Sequence, residues 1–274
     1  MNDNKNIVLA CIDGSDLSEA VCDYSAWIAQ RVDVPLKLLH ILDHHHEKAE
    51  SNDLSGSIGL DSREYLLEDM ANQEQEQNRV RLQQGKALLN IAKERVIQAG
   101  IAEPMSCLQH GNLIETLAEF EQDIRVLVIG VRGKKHQGKA HEVGAKLESM
   151  IRSLRRPVLV AYDTFKVPER IMIAYDGSEA ADKAVDMVAT SPLYKNLVCH
   201  LVCVSKKEAA EKLLEQAASK LRAAGGIEVI SVSLQGKAED VLCAYQASQN
   251  IDMTIMGAFS HTRVHDILLG SFTH

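Results

Sequence analysis

The sequence is short of several residue types, and each shortage excludes a class of protein. Aromatic residues make up only 4% of the 274 residues, whereas apolar residues make up 46%. Ile, Val, Leu and Ala must therefore fill the core, which favours the strands of a parallel sheet, buried on both faces, over a β-sandwich. The six cysteines are too few for a disulfide scaffold, and most lie in apolar runs, as expected of buried thiols.

Long apolar runs and excess positive charge are also lacking. The best runs, such as residues 126–131, stop at six residues, whereas a bilayer-crossing helix needs roughly 18, so no membrane partner is expected. Residues 1–6 are polar and contain no apolar signal core, which predicts a cytoplasmic location. The net charge of −8 disfavours a nucleic-acid partner, because such binding normally needs a basic surface.

Most of the negative charge lies in one segment. Residues 43–79 contain ten acidic and three basic residues, so the rest of the chain is nearly neutral. The consecutive His44, His45 and His46 cannot converge on one metal ion as spaced ligands do, and we expect a solvated loop there rather than a metal site. An exposed helix face is expected for four further acidic residues of the segment, with docking of a basic partner as the alternative. These four are Glu68, Asp69, Glu74 and Glu76.

The chain consists of two similar halves. The sequence Asp13-Gly14-Ser15, which follows an apolar run, recurs as Asp176-Gly177-Ser178 at a spacing of 163 residues. Further along, the run that ends at Gly130 matches the run that ends at Gly257 at a spacing of 127. The shorter spacing indicates an insertion of about 36 residues in the first half, and the acidic segment accounts for it.

Each half alternates apolar runs of strand length with amphipathic stretches of helix length. The alternation predicts parallel pairing with right-handed crossovers, and hence two tandem doubly wound α/β domains. The predicted strands are residues 7–13, 36–42, 105–109, 125–131 and 157–162 in the first half, and 170–175, 198–204, 227–234 and 252–257 in the second. The predicted helices of the first half are residues 16–31, 73–99, 112–122 and 144–155. One helical face is predicted to hold Leu88, Leu89, Ala92, Val96 and Ile97.

We place the domain boundary after the last strand of the first half, which gives domains at residues 1–163 and 164–274. The second half stops at His274 and leaves no room for a fifth strand, so its sheet is expected to lack the last strand. Because proteins avoid unpaired edges, the strand at 157–162 is expected to be covered by another chain or by a further segment.

Two loops are candidate ligand sites, because ligands bind parallel sheets outside the carboxyl ends of the strands. Both Asp-Gly-Ser sequences are placed there. They are explained equally by a turn and helix cap or by a carboxylate that accepts a hydrogen bond from a ligand beside a helix N-terminus. A second loop follows Gly257 and leads to Gly270 and Ser271 at a predicted helix start, where N–H groups and a hydroxyl can bind phosphate. A plain glycine turn is the alternative for this loop.

These motifs resemble those of the universal stress protein family in its tandem two-domain form. The resemblance rests on the two Asp-Gly-Ser strand ends and on a Gly-x-x-Gly-(nine residues)-Gly-Ser/Thr loop, and it extends over both halves. It implies two Rossmann-like domains of the adenine nucleotide alpha hydrolase type, with mostly parallel five-stranded sheets. It also implies ATP or AMP as ligand, optionally with Mg²⁺, and a role in the stress response or in signalling.

Position by position, the resemblance assigns the main nucleotide site to the second domain. The assigned residues, from the adenosine to the phosphates, are Asp176, Val204, Gly257, Ser260, Gly270 and Ser271. Ser260 stands where the family pattern has glycine, so it crowds the approach of the backbone to the ligand.

The matching positions of the first domain form a weaker site. They are Asp13, Ile41, Gly130, Gly133 and Gly144. Ten residues instead of nine precede Gly144, and Ala145 replaces the hydroxyl residue, so we expect weak or no binding there. Arg132 and Lys134 could compensate only in charge.

The preferred interpretation is a stress-response protein that binds an adenine nucleotide mainly in its second domain. The first domain then serves as a structural partner, through pairing within the chain or in a homodimer. Spacing alone assembles no Ser-His-Asp arrangement, paired catalytic carboxylates or metal triad, so at most slow ATP hydrolysis is expected. The alternative is a nucleotide-free interaction scaffold that acts through domain pairing and the acidic insertion.

Overall fold

A computed structural model of the chain describes residues 6–42, 60–131, 147, 149–205 and 207–257. For residues 60–71 and 207–209 it describes the backbone alone. Two compact units are present, and two separate parallel sheets are described below in turn.

The first sheet has five parallel strands in the order β3-β2-β1-β4-β5. The strands are β1 (Ile7–Cys11), β2 (Leu36–Leu42), β3 (Met105–His110), β4 (Ile124–Gly130) and β5 (Val158–Ala161). The helices are α1 (Ser18–Val32), α2 (Leu60–Gln98) and α3 (Leu113–Phe120), and residues 149–153 are also helical. The chain winds outward from β1 to β3 and then resumes on the other side of β1. This reversal creates a switch point of the kind where doubly wound sheets bind ligands.

The second sheet repeats the first four strands of this pattern, in the order β8-β7-β6-β9. Its strands are β6 (Arg170–Ala174), β7 (Val198–Val204), β8 (Glu228–Leu234) and β9 (Met253–Met256). Its helices are α4 (Glu179–Thr190), α5 (Lys207–Ala224) and α6 (Ala238–Gln249), with a 3-10 turn at Pro192–Tyr194. The prediction of two tandem doubly wound α/β domains is confirmed. Over the described residues the second sheet has four strands, one fewer than the first, in agreement with the expected lack of a last strand.

The central strands are buried on both faces. In β1, Ile7, Val8, Leu9 and Ala10 are each at most 1% exposed, and in β6 the three residues Ile171–Ile173 are equally buried. Burial of consecutive residues is what a parallel strand between two layers of helices requires. The low aromatic content follows from this, because aliphatic side chains fill both layers.

All six cysteines are free, and Cys22, Cys199 and Cys203 are buried while the other three are half-buried. Burial raises the pKa of the Cys22 and Cys199 thiols to about 12. These thiols are therefore protonated at neutral pH and act as core side chains.

Helix α2 is longer than the sequence pattern predicted. It begins at Leu60 and not near residue 73, because residues 60–72 include three Leu and two Glu, which favour helix. The acidic insertion thus becomes helical before the predicted start of the core helix. Glu74 and Glu76 are exposed as predicted, whereas the side chains of Glu68 and Asp69 lie outside the described residues.

The C-terminal half of α2 packs on β2 and β3. Leu89, Ala92 and Val96 are at most 5% exposed. The prediction that Ile97 shares this face is wrong, since Ile97 is 45% exposed. At 100° per residue Ile97 is turned well away from Val96, and the buried stripe of this half of α2 runs through Leu89, Ala92 and Val96.

Arg95 of α2 joins α2 to α1. Its Nε and one terminal nitrogen donate to the two carboxylate oxygens of Asp23, each at 2.8 Å, and its other terminal nitrogen donates to Glu19 at 2.8 Å. The hydrogen bond to Asp23 is the main reason that the pKa of Arg95 lies above its ordinary value. Because the Arg95 side chain is 37% exposed, solvent screens part of this attraction.

We predict that Arg95→Ala lowers the free energy of unfolding by about 1–2 kcal/mol, because it removes a bidentate, partly buried contact. Urea denaturation measures the change. Arg79→Ala on the same helix is the control, because the pair of Arg79 with Glu76 spans 3.8 Å and is exposed, and its loss should cost less than about 0.5 kcal/mol. Equal losses in the two variants would contradict the bridging role of Arg95.

Asp252 ties the start of β9 to the segment that leads into β6. Its Oδ1 accepts a hydrogen bond from Lys166 Nζ at 2.8 Å, and its Oδ2 accepts from the backbone N–H groups of Glu169 and Arg170 at 2.9 and 3.0 Å. Burial by itself would raise the pKa of Asp252, but the hydrogen bonds from Lys166, Arg170 and Glu169 outweigh it and lower the pKa below its ordinary value.

We predict that Asp252→Asn makes the free energy of unfolding less dependent on pH in the acidic range. Since the folded-state pKa is depressed, ionised Asp252 stabilises the fold above the unfolded-state pKa of about 4, and this stabilisation is lost as the pH falls through the folded-state pKa. The free energy of unfolding, measured between about pH 7 and pH 3, should therefore fall more steeply for the wild type than for the variant.

The matched control is Glu211→Gln, which removes an exposed carboxylate of α5. Its profile should follow that of the wild type. A profile for Asp252→Asn that runs parallel to the wild type below about pH 4 would show that Asp252 contributes nothing to the acid dependence.

Candidate functional site

Asp176 and Val204 lie at the same edge of the second sheet. Asp176 comes shortly after β6, and Val204 is the last residue of β7. The Tyr175 N–H donates to the carbonyl of Val202 at 2.8 Å and so continues the parallel pairing up to Asp176. The structure therefore brings both residues to the carboxyl edge beside the start of α4.

The Asp176 loop is a turn and a helix cap. Asp176 Oδ1 accepts a hydrogen bond from the Ser178 N–H at 2.9 Å, and Ser178 Oγ accepts from the Ala181 N–H at 3.2 Å as the N-cap of α4. Gly177 has φ +75°, a conformation that glycine adopts without strain. Within the described part of the chain, Asp176 Oδ2 has no hydrogen-bond donor, so an exposed acceptor remains. The cap and a ligand-binding role are therefore compatible.

The strand ends beside this loop belong to the apolar core of the second domain. Val204 packs against a buried cluster that lies between the sheet and α6. The cluster consists of Met172, Val202, Leu242 and Ile251, with Ala174, Leu234 and Met256 among the half-buried residues that pack against it. The exposed carboxylate of Asp176 thus lies at the same sheet edge as the half-buried Val204.

Two polar groups beside these loops were missed by the sequence reasoning. Tyr175 donates its hydroxyl hydrogen to Asp182 Oδ1 at 2.6 Å, and burial is the main reason that the pKa of Tyr175 is raised. In the first domain His40 Nδ1 lies 2.6 Å from the Ile12 carbonyl oxygen, so that this nitrogen donates to it. The only sequence signal was that each residue lies in or next to an apolar run.

The first domain repeats the Asp-Gly-Ser loop with different hydrogen bonds. Asp13 Oδ1 accepts from the Ser15 N–H at 3.0 Å, from Ser15 Oγ at 2.7 Å and from Ser18 Oγ at 3.1 Å. Ser18 Oγ also accepts from the Gly14 N–H at 3.0 Å. The two loops share a sequence motif but do not share a hydrogen-bond network.

The remaining predicted positions are partly described. Ile41 is half-buried in β2, and Gly130 ends β4, where it pairs with Ala161 of β5. Several predicted residues lie outside the described residues. These are Ser260, Gly270 and Ser271 of the second domain, Arg132, Gly133, Lys134, Gly144 and Ala145 of the first, and His44, His45 and His46 of the acidic segment.

Among the described residues, no group of three or more His, Cys, Asp or Glu side chains is arranged to hold a metal ion. None of the helices described is both long enough and apolar enough to cross a membrane.

Gly257 is buried where β9 ends against the first turn of α4. A Cβ atom at this position would lie 2.7 Å from Ala180 Cβ and 2.9 Å from the Ala180 carbonyl carbon. Contacts this short cannot be kept, so glycine is required for the strand to approach the helix. Gly257 therefore has a packing role.

We predict that Gly257→Ala destabilises the chain by about 1–3 kcal/mol, because the added methyl group overpacks a close contact. The free energy of unfolding in urea measures the loss. Ala180→Gly in the same background removes the Cβ–Cβ contact but leaves the contact with the Ala180 backbone, so a double-mutant cycle should show partial rescue. Strict additivity of the two substitutions would contradict the proposed contact.

Comparison with known proteins shows similarity over both halves of the chain. The model of the universal stress protein family matches residues 5–161 and again residues 168–274. A curated relative, the universal stress protein Slr1230 of Synechocystis sp., is 35% identical over 280 aligned positions, which cover 98% of this chain and 94% of the relative.

Solved structures show the same fold at lower sequence identity. The crystal structure of a universal stress protein from Archaeoglobus fulgidus superposes with a TM-score of 0.62 at 17% identity, and the match covers 98% of this chain and 90% of that one. The protein PA1789 of Pseudomonas aeruginosa matches with a TM-score of 0.50 at 14% identity, over 96% of this chain and 85% of that one. At these identities the likeness extends to the fold alone.

Proposed function

Because the chain belongs to the universal stress protein family, we propose that it is a stress-response protein whose second domain binds an adenine nucleotide, ATP or AMP. Membership of the family supports the role in the stress response. The nucleotide, its site and the regulatory use of binding are the proposed part.

The main support is the unused acceptor capacity of the exposed Asp176 carboxylate, which lies at the same sheet edge as the half-buried Val204. Adenosine combines hydrogen-bond donors, on its ribose and its amino group, with a flat purine face. An exposed carboxylate can accept from such donors, and apolar side chains can pack on the purine. Ligand pockets commonly combine an apolar lining with a few oriented polar groups. The start of α4 adds N–H groups that favour a negatively charged ligand.

The phosphates are assigned to the loop after β9. Ser260, Gly270 and Ser271 match the phosphate-binding positions of the family pattern, and they offer small side chains and hydroxyl groups that suit phosphate oxygens. Mg²⁺ would bind through the phosphates. Phosphate binding by these residues and the accompanying ion are part of the proposal.

The first domain is proposed to act chiefly as a structural partner. Its phosphate loop has ten residues where the pattern has nine, and it has Ala145 where the pattern has a hydroxyl residue. The proposal also includes domain limits at residues 1–163 and 164–274. It further includes pairing of the domains or of two chains, and a cytoplasmic location. No catalytic base is designated, so hydrolysis of ATP is expected to be slow at most.

We predict saturable binding of about one nucleotide per chain, because only one of the two sites retains both acceptor and phosphate loop. Equilibrium dialysis against labelled ATP and AMP measures affinity and stoichiometry, and mass spectrometry of the denatured protein identifies any nucleotide that copurifies. Asp176→Ala should weaken binding about tenfold or more, the effect of losing a hydrogen bond to a charged acceptor.

The matched control is Asp13→Ala, which removes the corresponding carboxylate of the first domain and should leave affinity unchanged. Two equivalent sites per chain would contradict the proposed difference between the domains. Absence of saturable uptake for both nucleotides would refute the proposed function.

A nucleotide-free scaffold is the second candidate, and the long helix α2 favours it. Residues 72–77 of α2 are all exposed, and they carry part of the acidic insertion. A chain that binds no nucleotide but captures a basic partner through Glu74 and Glu76 would support this function instead.

A further inference from the structure

Ser18 of the first domain and Ala181 of the second occupy corresponding positions. We infer that the side chain at this position decides which Asp-Gly-Ser loop can accept a ligand. The inference rests on the proposed function, since it names the residue that excludes nucleotide from one of two similar loops. In it, the Ser18 hydroxyl acts as an internal substitute for the ligand.

The two positions correspond directly. The spacing of 163 residues that relates Asp13 to Asp176 also relates Ser18 to Ala181. Both residues lie in the first turn of the helix that follows the loop, α1 or α4. Within five residues of the aspartate, this is a position where one domain has a hydroxyl and the other has none.

In the first domain the loop is closed on itself. Asp13 Oδ1 accepts three hydrogen bonds, two of them from the hydroxyl groups of Ser15 and Ser18. Three donors take up the two lone pairs of Asp13 Oδ1, so a ligand can bind this oxygen only by displacing one of them. The same Ser18 oxygen accepts from the Gly14 N–H, and thus one side chain binds both Asp13 and Gly14.

In the second domain the loop is open. Ala181 cannot donate a hydrogen bond, and the Ser178 hydroxyl is used differently, because its oxygen accepts from the Ala181 N–H as a helix cap. Asp176 Oδ1 keeps only the bond from the Ser178 N–H. The serine hydroxyl that occupies the aspartate in one domain therefore caps the helix in the other.

An internal hydroxyl competes well with a ligand. Ser18 is held at the loop by the backbone of α1, so its hydrogen bond to Asp13 costs no translational or rotational freedom of a second molecule. A nucleotide that approached Asp13 Oδ1 would have to displace this bond, and it would also lose translational and rotational freedom on binding. The first domain can therefore keep the Asp-Gly-Ser motif and its turn without binding a ligand there.

The decisive variant is Ala181→Ser, which places a hydroxyl at the corresponding position of the second domain. Affinity for ATP, measured by equilibrium dialysis on the full chain, should fall about five- to tenfold, the effect of one competing hydrogen bond. Ala181→Cys is the control, because a thiol is of similar size but is a weak donor, and it should bind ATP nearly as the wild type does. Thermal unfolding of each variant shows whether the buried position tolerates the change.

Amide hydrogen exchange measured by NMR tests the closure without any ligand. Ser18→Ala should speed exchange of the Gly14 N–H about five- to tenfold, because that group loses its acceptor. Ala181→Ser should slow exchange of the Gly177 N–H by a similar factor, because Gly177 corresponds to Gly14.

Failure of the inference is distinct from failure of the proposed function. If the wild type binds neither ATP nor AMP, the proposed function fails, while the exchange rates of Gly14 and Gly177 still show whether this side chain closes the loop. If the wild type binds ATP and Ala181→Ser binds it equally well, the inference is overturned. Unchanged exchange at Gly14 in Ser18→Ala would overturn it as well.

Discussion

Burial of the central strands on both faces governs the arrangement of each domain. Consecutive residues of β1 and of β6 have almost no contact with solvent, so helices must cover both sides of each sheet. A chain that returns to make a parallel strand must then cross over through a helix each time. All the loops that follow strands consequently meet at one edge. Asp13 and Asp176 lie at such edges for this reason, before any ligand is considered.

The chemistry of that edge depends on energies much smaller than those that build the sheets. A hydrogen bond contributes about 1 kcal/mol, whereas burial of a single large apolar side chain contributes about 1.5–3 kcal/mol. The Asp-Gly-Ser loops can therefore exchange hydrogen-bond partners while the strands beneath them stay the same. The hydroxyl of Ser15 donates to Asp13, whereas that of Ser178 caps α4, although the four strands that the two sheets share have the same order. One fold can thus carry a ligand site in one copy and a closed turn in the other.

The acidic insertion shows the same separation between core and surface. Helix α2 is joined to the fold through the stripe of Leu89 and Val96 and through the contact of Arg95 with Asp23. Residues 72–77 are exposed, so charge can accumulate there without cost to the core. The net charge of the chain is therefore mostly that of residues 43–79, which sum to −7 of the total of −8, and the rest of the chain is nearly neutral.

Much of the fold was predictable from the sequence, because two-sided burial requires continuous apolar runs and the repeat places them twice. The strand segments, the two sheets and the edge position of Asp176 follow from those runs and spacings. The exposure of Ile97, the packing of Gly257 on Ala180 and the different partners of Ser15 and Ser178 do not. Each depends on which atoms come into contact when separate elements pack. Differences of a few tenths of an ångström in those contact distances decide the outcome. Local periodicity carries no information on such contacts, so only the tertiary structure decides them.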